Sequence, residues 1–538
     1  MSAAVWTLAA AFIPALLAVL LLVPRWRGVI TLLTPFAAWP MLAAALAAIG
    51  QPPAEVPALL LGVRVGVDAF ALVLLLAGVL VWTLAGLRLA RQPPLVLAAA
   101  LAAQTGSLGA LIALDAAGFY LFFSLMTVAS YGLVIADRSA AAHAAGQIYL
   151  ALALGGELVA LAAFITATAG APGLVSALLL LFGLGAKLGL PPLHVALPIA
   201  YRAAPAPGGA VIGSVLVNAA IAGLVRFLPE AAGDPQPLGM FLILFGIATA
   251  FLGALLGMMQ RDPKALLGYS TVSQMGILTA ALGIAAGLPD GFAVLAPAIA
   301  LFALHHALVK AALFLGLERA PGRGRTAVLI ALSLALAAAP FTGGALAKLW
   351  IEAQAYDLPR AQFDLLHLLL PLTSTATALL MARFVVLAAP VGSVASPPLP
   401  FSACAALALG LPWVAAAALH PAPFALAASP GHVWLGAWPL LLAASGIMAA
   451  GWAGCRGWRM PAVPPGDVLM ALWPMAVRLH ALLRAFPERL PKPGFGWAGA
   501  LWRRLDPDWV ERRLRGFRLL GFSYLLLLAV LLALAIPG

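Results

Sequence analysis

The stretch Gly185-Ala186-Lys187-Leu188-Gly189-Leu190-Pro191-Pro192-Leu193-His194 decides how this chain is read. It continues an apolar run from residue 174, yet it carries a lysine, a proline pair and a histidine. A charge at the centre of a bilayer costs about 2.5–3.5 kcal/mol on insertion scales, so Lys187 needs a reason to be there. The prolines remove backbone hydrogen bonds and interrupt a helix. An interruption at membrane depth is tolerated where the freed groups meet protein or a water-lined cavity. Burial and a neighbouring carboxylate pull an amine's proton affinity in opposite directions. A lysine held between those limits beside a break can take up and release a proton.

The composition says that the surroundings are a membrane. Of 538 residues, 64% are apolar and 9% charged, against about 25% charged in soluble chains. Apolar runs of spanning length recur from end to end. They lie near 4–23, 28–50, 66–87, 94–114, 117–136, 147–169, 174–190, 209–228, 237–259, 265–288, 293–317, 326–356, 365–388, 400–420, 432–454 and 519–537. The expected fold is therefore an all-α polytopic membrane protein of about 14–16 transmembrane helices. Residues 4–23 lack a basic leader and are read as a first helix rather than a signal peptide.

Charge in the loops gives an orientation. Loops after odd-numbered spans carry Arg25, Arg27, Arg88, Arg91, Arg138, Arg202, Arg261, Lys264, Arg319, Arg323 and Arg325. Loops after even-numbered spans carry Glu55, Asp115, Glu230, Asp234 and Asp290, with Arg64 and Arg226 as exceptions. The positive-inside rule puts the odd loops in the cytoplasm and the N-terminus outside. The net charge of +12 is thus accounted for by the membrane, and no nucleic-acid partner is expected. Residues 456–518 hold twelve Arg or Lys against five Asp or Glu, with tryptophans interleaved. That pattern reads as a basic amphipathic segment on the membrane surface, or else as a solvated loop. Residues 519–538 read as a final anchor.

A second interruption, Pro340-Phe341-Thr342-Gly343-Gly344, precedes Lys348. Paired interrupted helices crossing in opposite directions point to inverted repeats. The expected organisation is N-terminal helices over 1–93, a first five-helix repeat over 94–228, an inverted second over 237–388, and C-terminal helices over 389–455. Span eleven carries His305, His306 and Lys310, the last two on one helix face. Glu157 lies deep in span six. The candidate relay is Glu157, Lys187, His194, His306, Lys310 and Lys348, supported by His305, Pro191, Pro192 and Pro340. Structural pairing is the competing reading of Glu157, as is a cap of the break for His194. The two cysteines, Cys404 and Cys455, have neither a partner nor a ligand spacing. No Rossmann, P-loop or haem signature occurs, so no cofactor, metal or catalytic centre of the chain's own is expected.

Several motifs together resemble one family. They are residues 185–198 with Ala203-Ala204-Pro205-Ala206-Pro207, the run Asp262-Pro263-Lys264 to Gly276, the run His306 to Leu315, Gly344 to Lys348, and Val67-Asp68. They are similar, in the same order, to the antiporter-like subunits shared by respiratory complex I, Mrp sodium/proton antiporters and membrane-bound group 4 hydrogenases. Around Lys187 the wording is closest to the hydrogenase-4 and Mrp D-like branch, and Pro464-Pro465-Gly466-Asp467 fits that group too. The resemblance implies proton translocation within a multisubunit, redox-linked complex of the bacterial inner membrane, with other membrane subunits and lipid as partners. It adds Asp68 to the supporting residues. Other readings are a sodium/proton antiporter subunit, a membrane part of an inorganic-carbon uptake system, and a partly degenerate structural subunit.

The departures from the family pattern are specific. Ser124 stands where the family has a glutamate, Asn218 where it often has a lysine, and Gln274 and Phe302 where it has histidines. The expectation is that Glu157, from the neighbouring span, replaces the carboxylate missing at Ser124.

Overall fold

In the computed structural model the chain is a helical membrane protein. The structure describes residues 3–57, 62–318, 322–388, 399–419, 427, 429–457 and 460–467. Among these, twelve helices are long and apolar enough to cross a membrane, or up to thirteen if one bent pair counts as a span.

The N-terminal part is more broken than its hydropathy suggests. Helices α1 (Ala3–Ala11) and α2 (Ile13–Leu20) are followed by short pieces, α3 (Arg27–Leu33) and α4 (Trp39–Ala48). The apolar run expected to cross as one helix over 28–50 therefore does not. Pro35 and Pro40 start new turns within it, because a proline lacks the amide a continuing helix needs. The path bends by 118° between 4–20 and 24–36. A hairpin of β1 (Ala54–Val56) and β2 (Val63–Val65) leads into the core and pairs Glu55 with Arg64.

Continuous helices follow: α5 (Ala69–Leu89), α6 (Pro94–Ile112), α7 (Ala116–Val134) and α8 (Ala140–Thr168). Next come α9 (Leu174–Leu188), α10 (Ala196–Ala203), α11 (Ala206–Ile212) and α12 (Val215–Ala232). Then come α13 (Gly239–Met258), α14 (Pro263–Gly287), α15 (Gly291–Leu315), α16 (Arg323–Leu336) and α17 (Gly343–Gln354). The last are α18 (Arg360–Ala388), α19 (Leu399–Leu419) and α20 (Pro430–Cys455). Both interruptions expected from sequence are present, between α9 and α10 and between α16 and α17. A further junction separates α11 from α12.

The helices differ in how much lipid they can meet. Along α14 the whole spanning window is buried by other helices, whereas only 11% of that of α20 is. Helix α14 packs on α13 through Gly246, Gly253, Gly276 and Gly283, where an added methyl would strike the facing backbone. Small residues of this kind let membrane helices approach closely.

Polar side chains fix the ends. Asp68, Asp115, Ser139 and Asp262 each accept from a first-turn amide of the following helix, satisfying donors that the helix leaves open. At one end of the bundle Arg88, in the last turn of α5, pairs with Glu318 just beyond α15. The two exceptions to the charge alternation also find partners. Arg64 lies 3.9 Å from Glu55 on the hairpin. Arg226 donates to the carbonyl of Ala113 at 2.6 Å and lies 3.7 Å from Asp68.

The expected surface segment and final anchor lie outside the described residues apart from 456–457 and 460–467. Residues 460–462 and 464 are exposed, and the chain turns inward only at Gly466 and Asp467, which are buried.

Candidate functional site

The site begins at the first interruption. Helix α9 ends on Gly189 with φ +73, a left-handed cap that glycine adopts without the steric cost other residues carry. The Leu190 amide donates back to the Gly185 carbonyl at 2.9 Å. Lys187, one turn before the break, is only 3% exposed. Its Nζ donates to the Tyr149 hydroxyl at 3.0 Å and lies 4.9 Å from the centre of that ring. The Phe123 ring lies 5.9 Å away on another side. The Tyr149 hydroxyl in turn shares a 2.7 Å hydrogen bond with Ser130.

Glu157 follows Tyr149 by about two turns on the same face of α8. It is buried, within charge–charge reach of Lys187, and it has Ser124 and Thr127 of α7 beside it. A close backbone approach sets this up, since a methyl on Gly156 would strike the Gly183 carbonyl and the Ala186 side chain. Neither Glu157 oxygen, nor the Ser124 or Thr127 hydroxyl, completes a regular hydrogen bond among the described residues. Ser124, Thr127 and Glu157 thus lie together near Lys187.

His194 sits on the far side of the break, buried. Its Nε2 is 3.0 Å from Asp467 Oδ2, and the Tyr269 hydroxyl of α14 donates to the same oxygen at 2.8 Å. His194 Nδ1 has no partner among the described residues.

Between the interrupted helices lies a second group. Asn218 of α12 donates to the Ala303 carbonyl of α15 at 3.4 Å. His306, one turn further along α15, is fully buried beside Gly213 at the α11–α12 junction. Neither of its ring nitrogens completes a regular hydrogen bond among the described residues. Lys310, also fully buried, donates to the Leu267 carbonyl and the Ser270 hydroxyl of α14.

The third group surrounds the second interruption. His305 Nε2 is 3.1 Å from the Ala335 carbonyl, a group of the last turn of α16. A methyl on Gly344 would collide with that carbonyl and with the His305 ring, so glycine is required for this approach. Thr342 caps α17, whose Lys348 donates to Thr373 at 2.8 Å and to Ser374 at 2.7 Å. Thr377 extends the cluster to Gln274 of α14 at 3.2 Å. Glu352 lies one turn beyond Lys348, and its carboxylate is 2.8 Å from His367 Nδ1 on α18. The Glu352 side chain is 12% exposed and that of His367 is 44% exposed, so the cluster reaches the surface there. A cavity of about 60 Å³ opens beside Lys348 and Glu352 and is also lined by Phe341, Ser374, Trp413 and His432.

Packing and hydrogen bonds thus gather the candidates into clusters around Lys187, around His194, around Lys310 and around Lys348, with Glu157 and His306 placed by packing alone. Pro191, Pro192 and Pro340 serve the interruptions rather than contributing polar groups. Asp68 stands apart: it caps α5 and pairs with Arg226 beside a cavity of about 420 Å³ lined mainly by apolar groups. Sequence reading missed Tyr149, Glu352, His367 and the role of Asp467. Glu352 was legible as an acid four residues after Lys348; the others depend on which helices meet.

Comparison with known proteins gives the arrangement a context. Residues 113–327 match the family described as NADH:quinone oxidoreductase/Mrp antiporter, TM. Hydrogenase-4 component B of Escherichia coli (strain K12) is 35% identical over 235 residues, 39% of this chain and 35% of that protein. NADH-quinone oxidoreductase subunit N of Chromohalobacter salexigens is 32% identical over 216 residues, 36% of this chain and 44% of that protein. The matched region spans about a third of the length of the first curated relatives. Among solved structures, the Mrp complex from Dietzia sp. DQ12-45-1b has a similar chain, with TM-score 0.72 and 22% identity over 94% of this chain and 62% of that one. Respiratory complex I from Thermus thermophilus has another, with TM-score 0.63 and 21% identity over 79% of this chain and 99% of that one. Residues 113–327 thus resemble the NADH:quinone oxidoreductase/Mrp antiporter family, and the fold is similar to that of chains in the Mrp complex and respiratory complex I.

Proposed function

We propose that the chain translocates protons as an antiporter-like subunit of a multisubunit, redox-linked complex in a bacterial inner membrane, with its N-terminus outside. The observation that carries this reading is the placement of Lys187 and Lys348. Each is buried beside an interrupted helix; Lys187 meets one hydroxyl from a neighbouring helix and Lys348 meets two. An ionisable group inside a membrane helix is costly and marks a conduction path more readily than a scaffold.

On this reading the units 94–228 and 237–388 act as two halves of one path. Glu157 supplies the first half with the carboxylate that Ser124 lacks, which its position beside both Ser124 and Lys187 supports. His306, Lys310 and Asn218 form the middle. Lys348, Glu352 and His367 form the opening of the second half. Other membrane subunits supply the driving charge changes, and lipid covers α20 where no subunit does. Any redox centre belongs to those partners.

The test is proton flux in proteoliposomes containing the assembled complex, with Lys187→Met and Lys348→Met. Each is expected to lower flux by on the order of a hundredfold, the effect of losing a proton-transfer group. Flux equal to wild type in both variants would refute conduction through this chain. Flux that follows a sodium gradient instead would favour a sodium/proton antiporter subunit.

A further inference from the structure

Asp467 belongs to neither half of the path, yet it makes the only polar contact resolved for the His194 ring among the described residues. The route by which it arrives is specific. After α20 the chain passes residues 460–467, and the Val463 amide donates to the Met259 carbonyl at the end of α13. The sequence Pro464-Pro465-Gly466-Asp467 then closes a turn. The Asp467 amide donates to the Pro464 carbonyl at 3.0 Å, and Gly466 has φ +91. Proline second and a positive-φ glycine third are the requirements of a type II turn. The turn delivers the carboxylate inward, where it is 5% exposed.

A carboxylate buried this far costs free energy unless it is paired. Here one oxygen, Oδ2, meets both the Tyr269 hydroxyl and His194 Nε2. The other ring nitrogen, Nδ1, is buried with no partner among the described residues. The histidine therefore has one nitrogen on a carboxylate from outside the two halves and one nitrogen free to pass a proton on. Loop charges put the nearby Arg202, Arg261 and Lys264 in the cytoplasm. The pair thus stands at the cytoplasmic side of the first interruption.

We propose that Asp467 and His194 form the cytoplasmic mouth of the first half of the path, with Asp467 as the proton-collecting group. This rests on the conducting reading given above. The transfer balances without any further reactant. Protonated Asp467 gives its proton to Nε2 of neutral His194, leaving a carboxylate beside an imidazolium. The imidazolium then releases its Nδ1 proton to the interior and is left protonated at Nε2, while Asp467 regains a proton from the cytoplasm; a half-turn of the ring presents the bare Nδ1 to Asp467 for the next proton.

The experiment uses the assembled complex in proteoliposomes, with Asp467→Asn, Asp467→Glu and Tyr269→Phe. Asp467→Asn keeps the shape and removes the proton-exchanging group; flux should fall by about tenfold or more. Asp467→Glu should restore flux to within about threefold of wild type. Tyr269→Phe removes one hydrogen bond to the same oxygen and no transfer step, so flux should fall by less than in Asp467→Asn. The imidazole infrared band of His194, assigned by its loss in His194→Gln, should shift in Asp467→Asn. If Asp467→Asn conducts like wild type, or if Tyr269→Phe collapses flux as fully as Asp467→Asn does, the carboxylate merely pins the turn and the inference is overturned. If Asp467→Asn fails to assemble, Asp467→Glu decides: flux within about threefold of wild type supports the inference, and a loss of about tenfold or more in the assembled variant overturns it. A wild-type complex that moves no protons overturns the conducting reading itself, a result distinct from an unaffected variant in a conducting complex.

Discussion

The two interrupted helices solve one problem in different ways. Lys187 stands at the end of the segment before its break, whereas Lys348 stands in the segment after its break. In the second half the acid is Glu352, four residues along the same helix, where i and i+4 side chains are neighbours. In the first half the acid is Glu157, brought by α8 through the close approach of Gly156 to α9. A partner on the same helix is tied to its lysine by helix geometry. A partner on another helix depends only on packing, so its position can move between helices while the lysine stays in place. The surroundings differ as well: Lys187 faces the Tyr149 and Phe123 rings, while Lys348 faces two hydroxyls and an open cavity.

The sharpest way to break this comparison is at Glu157. Glu157→Gln should lower proton flux by about a hundredfold. Adding Ser124→Glu to that variant should return flux to within about tenfold of wild type if a carboxylate on either helix serves. Flux untouched by Glu157→Gln would mean that the first half conducts by another route or not at all. In the second half, Glu352→Gln should cost about tenfold in flux. His367→Ala should cost less, because that ring is already 44% exposed and water can take its place.

Tyr149→Phe sharpens the contrast in lysine surroundings. It removes the hydroxyl and keeps the ring, so Lys187 loses one hydrogen bond worth about 0.5–1.5 kcal/mol. Flux should fall by only a few-fold, read in the same vesicles. Asp68→Ala should have the smallest effect on flux, within about twofold, while costing about 1 kcal/mol of stability through the lost helix cap. Thermal unfolding of the complex in detergent would register it. A large flux defect in Asp68→Ala would return Asp68 to the path.

Much of this was written in one dimension. Hydropathy requires membrane helices because each backbone amide must be satisfied within its own segment. Proline pairs and Pro-Gly runs mark the interruptions because they act on the backbone at their own position. The lysines beside them stand out because a charge in an apolar run is costly wherever it falls. Those features are local, so Lys187, Lys348, Pro191, Pro192 and Pro340 could be named without knowing any neighbour. The N-terminal runs show the limit: hydropathy over 28–50 is continuous, but Pro35 and Pro40 divide the helix.

What could not be read from the letters was which side chains meet. Tyr149 reaches Lys187 across 38 residues, Gln274 reaches Thr377 across 103, and Asp467 reaches His194 across 273. In a chain made almost wholly of apolar helices, every helix face looks alike to periodicity. Helix–helix packing, set by where glycines allow close approach, selects the faces that turn toward each other. That selection decides whether Glu157 meets Lys187 and whether a carboxylate from beyond α20 meets the first break.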